Sequence, residues 1–192
     1  MELLPTQDEV VKLLRDTGGL RDGHFVYPNG MHSDDYLQVA LTMRSFQVSN
    51  TLTVALSRLL RANPEIRAII NKLSIVAPAT GGLPVAYGVC EALRARRVYW
   101  AEYERPGDPL AFRQFLEIEK GEKIIIVDDI LRTGRKLSQL KTLIEQQGGE
   151  VLALAVMVYQ PYPGCVDFNP LPLYYLAKLN PPRLPQPWPQ WS

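Results

Sequence analysis

The sequence predicts an α/β fold: a mostly parallel sheet with helices on both faces, preceded by a small N-terminal hood. Three observations predict it. Short apolar segments, Ser74 to Ala77, Val98 to Ala101, Lys123 to Val127 and Val151 to Val158, read as strands buried on both faces. Between them lie amphipathic helical patterns, and such alternation favours parallel strands joined by right-handed crossovers. Before them, two short aromatic and apolar stretches flank a Pro28-Asn29-Gly30 turn, which predicts an antiparallel hood.

Four segments follow from this pattern: residues 1–45 (helix and hood), 46–160 (α/β core), 161–180 (C-terminal strand or cover) and 181–192 (Pro-rich tail). Gln7 to Asp16 reads as the first helix, with Thr6 and Glu9 at capping-box spacing and Gly18-Gly19 ending it. Phe25 to Tyr27 and Tyr36 to Val39 are the hood strands. Leu52, Ala55, Leu56, Leu59 and Leu60 form one helical face. Of the pieces Ala68 to Ile70 and Ser74 to Ala77, the second is the expected strand. The loop 78–82 then leads into a helix with Pro84 in its first turn. Leu83, Ala86, Tyr87, Cys90 and Leu93 are expected to line its buried side. Glu102 to Glu119 has weak periodicity and reads as a long mobile loop or extended hairpin, a type of segment that is commonly functional. A helix starting near Gly134 carries Leu137, Leu140, Leu143 and Ile144, and Gly148-Gly149 stops it. Leu171 to Leu179 is expected to add a strand or cover the hood.

Composition narrows the function classes. The 192 residues are 46% hydrophobic and 21% charged, with a formal net charge of +1. That balance lacks the overall basicity of a general nucleic-acid binder. The two cysteines, Cys90 and Cys165, fit no metal spacing or disulfide framework, which implies a reducing, cytoplasmic setting. The opening MELLPTQDEV does not read as a signal peptide, and the longest apolar run falls short of the roughly 20 residues of a membrane span. His24 and His32 have no paired cysteine or acid at ligand spacing.

The segment IIIVDDILRTGRKL carries the chemistry. An apolar strand ends at Asp128-Asp129, and a turn through Arg132, Thr133, Gly134, Arg135 and Lys136 opens a helix. Strand-end carboxylates accept hydrogen bonds from a ribose diol or hold the water shell of a metal ion. The helix start offers free N–H groups and a positive dipole end to a phosphate. Gly134 permits close backbone approach, Thr133 brings a hydroxyl, and Arg135 and Lys136 add charge. A diol acceptor beside a phosphate cradle describes a sugar phosphate. Two other readings of the acid pair stay open: a Mg²⁺-binding phosphorylation domain, which also needs a further strand-end aspartate and a later lysine, and a purely structural acidic turn.

VDDILRTG resembles the phosphoribosyl pyrophosphate signature of the type I phosphoribosyltransferases. DGHFVYPNGMHSDDYLQ is similar to the hood of the orotate branch, APATGGLPVAYGV to its pyrophosphate loop, FRQFLEIEKGEK to the segment before the signature strand, and FNPLPLYYLAKL to its C-terminal strand. The resemblance implies that orotate and phosphoribosyl pyrophosphate give orotidine 5′-monophosphate and pyrophosphate in a Mg²⁺-dependent reaction of pyrimidine biosynthesis. It implies roles at named positions. Asp128 and Asp129 would hold the ribose hydroxyls, and Thr133, Gly134, Arg135 and Lys136 the 5′-phosphate, with Arg132 also in the substrate loop. Ala79, Thr80, Gly81 and Gly82 would line the pyrophosphate and its Mg²⁺. Arg105 and Arg113 would be the mobile-loop cations and Tyr36 a base contact. It also implies a homodimer in which the partner's mobile loop completes each site, with small-molecule substrates and no nucleic acid or membrane partner.

The chain departs from the pattern in four places, the first being the mobile loop, where Arg105 and Arg113 are the only cations between Arg97 and Lys120 and no Lys is present. Arg132 and Lys136 stand where the signature has small hydroxyl residues. Pro28 stands where many orotate enzymes have a basic residue, and Tyr159-Gln160 where they have an Asp-Arg pair. Arg44 and Lys72 are the replacement cations considered for the base's carboxylate, and Asp34 and Asp35 put acids near the expected base site. These departures keep two alternatives open: a phosphoribosyltransferase for another base, and a non-catalytic regulator that binds phosphoribosyl pyrophosphate or a nucleotide.

Overall fold

The computed structural model describes residues 4–26, 32–105, 107–113 and 117–181. The helix α1 spans Gln7–Asp16 with the Thr6–Glu9 capping box formed in both directions. The hood is a two-stranded antiparallel ribbon of β1 (Leu20–Val26) and β2 (His32–Leu37). The expected turn at 28–30 lies outside the described residues. The chain then enters the short helix α2 (Val39–Met43), so the strand expected over Tyr36 to Val39 stops at Leu37. The Gln38 amide donates to the Gly19 carbonyl and closes the ribbon, while Val39 and Met43 turn into the core.

The core follows as α3 (Phe46–Ala62), α4 (Pro64–Ala68), a 3₁₀ turn, β3 (Leu73–Pro78), α5 (Gly82–Leu93) and β4 (Arg97–Glu102). After it come β5 (Ala111–Phe112), β6 (Lys123–Leu131), α6 (Arg135–Gln146), β7 (Glu150–Tyr159) and β8 (Leu173–Lys178). The six-stranded sheet has the order β5-β4-β3-β6-β7-β8. Each pairing is parallel except β4 with β5, which pair antiparallel at Ala101–Phe112 and Glu102–Ala111 on the sheet edge.

Alternation along β6 shows why the sheet needs helices on both sides. Ile125 and Val127 join the apolar cluster under α1, α2, α3 and α5, whereas Ile124 and Ile126 join the cluster under α6. All four are fully buried, and burying one such side chain stabilises by about 1.5–3 kcal/mol. One helical expectation is corrected. Tyr87 is exposed rather than lining the buried side of α5, whose inner stripe is Gly82, Val85, Ala86, Val89 and Leu93.

Parallel strands send their following loops to one edge. The loop after β3 (78–82) and the loop after β6 (132–134) both open there, with the hood ribbon and the segment after β7 beside the second.

Candidate active site

The crevice is built on the end of β6. The strand continues through both acids, so Asp128 and Asp129 are held in regular backbone. The Asp128 Oδ1 accepts from the Asp129 amide at 2.9 Å, and the Asp129 Oδ1 accepts from the Ile130 amide at 2.9 Å. Asp128 is buried beside Lys136, whose Nζ lies 3.9 Å from its Oδ2. Burial and the neighbouring Asp129 push the Asp128 carboxyl well above the usual carboxylate range, and the Lys136 charge pulls the other way. Asp129 is only half-buried and stands against the 78–82 loop. A Cβ placed on Gly81 would come within 2.7 Å of its Oδ2, and one on Gly82 within 3.1 Å of the Asp128 Oδ1. The 78–82 loop therefore touches the acid pair near the end of β6, and this closeness depends on glycine.

On the β3 side, the Ala79 amide donates to the Ala101 carbonyl at 2.8 Å and tethers the loop to β4. Thr80 is exposed, Ala79 and Gly81 half-buried, and Gly82 begins α5, whose Leu83 amide donates to the Thr80 carbonyl.

On the β6 side, Gly134 caps α6 in the left-handed region at φ 73°. A Cβ there would approach Phe168 Cε2 to 2.9 Å and Val166 Cβ to 3.0 Å. The segment after β7 thus packs onto the back of the turn, and the Val166 amide donates to the Thr133 carbonyl. The first turn of α6 holds no acid. It carries Arg135 and Lys136 at the positive end of the helix dipole, where cations are unfavourable unless an anion joins them. Thr133 and Arg135 are exposed. A cavity of about 260 Å³ runs from the acid pair to Lys136. A larger groove of about 760 Å³ between α1 and α3 has no acid pair at a strand end among its lining residues.

The other expected residues are placed differently. Arg132 lines the same cavity, with its guanidinium tied to the core and the hood: its Nε donates to Gln160 Oε1 at 3.0 Å and its Nη2 to the Leu37 carbonyl at 3.2 Å, over the Tyr162 ring. Arg113 pairs with Glu102 and Glu104. Arg105 is exposed, its amide accepted by Asp108. Among the described residues neither arginine bonds a crevice residue. Tyr36 packs on Phe25, with its hydroxyl donating to Gln38. His24 and His32 stack as a hood pair, nitrogen to nitrogen at 2.7 Å.

Sequence reasoning placed Gln160 at the position of the family's Asp-Arg pair but did not see that it is wholly buried, donates to the Asn180 carbonyl and lies 3.5 Å from Asp35. The covering residues Tyr162 and Val166 were missed, and no motif marks them.

Paired carboxylates between two helix starts, on the carboxyl edge of a parallel sheet, define an α/β protein built to bind a sugar phosphate. The phosphoribosyl transferase domain family matches residues 65–164, just over half of the chain. The chain is 31% identical over 172 residues to the orotate phosphoribosyltransferase of Carboxydothermus hydrogenoformans, covering 90% of this chain and 85% of that one. It is 33% identical over 181 residues to the orotate phosphoribosyltransferase of Caulobacter vibrioides, covering 94% and 88%. The crystal structure of orotate phosphoribosyltransferase from Aeropyrum pernix superimposes with a TM-score of 0.71 at 20% identity, covering 88% and 93%. This chain belongs to the phosphoribosyltransferase family, in its orotate branch, and is by class a pentosyltransferase.

Proposed function

We propose that this chain transfers the phosphoribosyl group of phosphoribosyl pyrophosphate to orotate, releasing pyrophosphate, as a step of pyrimidine nucleotide synthesis. The observation that carries the reading is the contact between the 78–82 turn and the acid pair, which brings diol acceptors and two helix starts into one crevice. The bond from C1′ to the pyrophosphate oxygen breaks ahead of the bond to the base nitrogen. Positive charge grows on the ribose and negative charge on the leaving group. Asp128 and Asp129 accept from the ribose hydroxyls and fix the ring. Thr133, Gly134, Arg135 and Lys136 hold the 5′-phosphate. Thr80, Gly81 and Gly82 present backbone amides to the pyrophosphate. Most of the rate enhancement then comes from positioning and preorganised charge, with little demand for a general base.

Mg²⁺ is the expected cofactor, and the residues fit an ion carried in on the substrate. Among the described residues no three His, Cys, Asp or Glu side chains gather as a metal cage. Mg²⁺ keeps several waters and leans on substrate phosphates, so the Thr80 to Gly82 turn would hold it through the pyrophosphate. When bound, it neutralises charge on the departing group.

The enzyme acts in the cytoplasm as a homodimer. Among the described residues no helix is long and apolar enough to cross a membrane. What supports the dimer is the pair Arg105 and Arg113, which bond no crevice residue of their own chain among the described residues. A second base remains a reading because Asp35 stands beside Gln160, at 3.5 Å, on the hood side of the crevice.

The test is product formation with orotate, uracil and purine bases in the presence of phosphoribosyl pyrophosphate and Mg²⁺. Turnover with orotate and weaker phosphoribosyl pyrophosphate binding by Asp129→Asn are expected. Turnover only with another base would move the activity to that base. Binding without turnover of any base would leave a regulator.

A further inference from the structure

Orotate carries a carboxylate, and a base pocket that selects it needs a fixed cation. We propose that Arg132 supplies it, as the residue that reads the carboxylate of the base. This inference rests on the orotate reading above.

The geometry separates Arg132 from the other cations. Lys72 precedes β3, at the sheet edge opposite the crevice. Arg44 caps α2, is exposed, and turns back to the Leu41 carbonyl. Arg135 and Lys136 sit on the first turn of α6, where the phosphate cradle lies. Arg132 alone among these five bonds both the hood, at the Leu37 carbonyl, and the core, at Gln160. Its own carbonyl accepts from the Tyr162 amide, so its backbone is fixed to the segment its side chain crosses.

The guanidinium is preorganised. Gln160 is fully buried, and its amide group is held by the Asn180 carbonyl at 3.0 Å, which aims its oxygen at the Arg132 Nε. Gln160 is thus a positioning residue. The two bonds from Arg132 take two of the five N–H donors of a guanidinium, leaving enough for a forked contact with a carboxylate. The opposing charge is Asp35, whose Oδ2 lies 3.5 Å from the Gln160 Nε2. Burial raises the Asp35 carboxyl while Arg132 lowers it, so a ligand carboxylate would compete with Asp35 for Arg132.

The experiment compares calorimetric binding of orotidine 5′-monophosphate and uridine 5′-monophosphate, which differ only in the carboxylate. The full chain is expected to prefer the first by about 10- to 100-fold, the worth of a charge-assisted hydrogen bond. Arg132→Gln should bring the two affinities together while uridine 5′-monophosphate binding stays nearly unchanged. Arg132→Lys should keep part of the preference, and Asp35→Asn should enlarge it. If both nucleotides weaken together in Arg132→Gln and the preference survives, the arginine merely braces the hood and the proposal falls. Should Arg132→Gln fail to fold, an unchanged preference in both Arg132→Lys and Asp35→Asn would overturn it as well. If the unaltered chain binds neither nucleotide, the orotate reading itself fails, and this inference with it.

Discussion

Replacing Gly81 by Ala tests the contact on which the crevice is built. Gly81 has φ −61° and ψ −34°, values that any residue adopts, so the substitution brings no backbone strain. The added Cβ would stand 2.7 Å from the Asp129 Oδ2 and 2.9 Å from its Cγ. Non-bonded atoms rest at about 3.5 Å, so the carboxylate must retreat by about 0.5–1 Å. That retreat works against the 2.9 Å bond from the Ile130 amide to Asp129 Oδ1. Hydrogen bonds to a charged group contribute about 1.5–3 kcal/mol. Losing one such bond to the ribose diol should weaken phosphoribosyl pyrophosphate by about 10- to 100-fold. Calorimetric titration in the presence of Mg²⁺ reads the affinity, and thermal unfolding should show little change. Affinity within twofold of the parent, with the variant folded, would refute the placement of Asp129 as a ribose acceptor.

Two further substitutions separate structural from chemical roles. Asp128→Asn should make stability less dependent on pH. The folded state holds the Asp128 proton to higher pH than the unfolded chain, so the stability that proton contributes is complete below about pH 4 and is lost as pH rises through the raised folded-state value. Melting temperatures of the two proteins across acid to neutral pH should therefore diverge with rising pH in favour of Asn, and a constant gap would show that Asp128 titrates as it does in the unfolded chain. Gly134→Ala should destabilise by about 1–2 kcal/mol from its left-handed backbone alone, a fall of about 2–8 °C in Tm, with more from the Phe168 and Val166 contacts; an unchanged Tm would mean that the turn does not need glycine.

The sheet was legible because its strands are buried on both faces, which leaves apolar runs in the sequence that no amphipathic helix would show. The acid pair and the α6 start were legible because they are contiguous. The destination of Arg132 was not, since its partners Gln160 and Leu37 lie 28 and 95 residues away and no spacing in the sequence pairs them with it. The hood boundary failed for a related reason. Tyr36 to Val39 carries a strand-like pattern, but Val39 is needed in the core under α1 and α3, and that tertiary demand overrides local propensity. Tyr87 sits at helical spacing with apolar neighbours, yet the inner stripe of α5 is set by the close approach of Gly88 to Thr53 on α3, which turns Tyr87 outward.

The distribution of positive charge follows from what a dianionic sugar phosphate and an anionic base each require. Two cations on the first turn of α6 cost about 0.3–1 kcal/mol each against the helix dipole when no anion is present. Lys136 offsets part of that through Asp128, and Arg135 stays in solvent. A third cation in the same cradle would deepen the repulsion without adding a partner. The fold avoids this by sending the Arg132 side chain across Tyr162 to the hood, where Gln160 and the Leu37 carbonyl give it neutral acceptors and Asp35 a nearby charge. Small hydroxyl residues at 132 and 136 would take one cation from the α6 start and leave the hood seam without this charge. On the proposed reading, basic residues at both positions serve two anion sites, Lys136 at the α6 start and Arg132 at the hood.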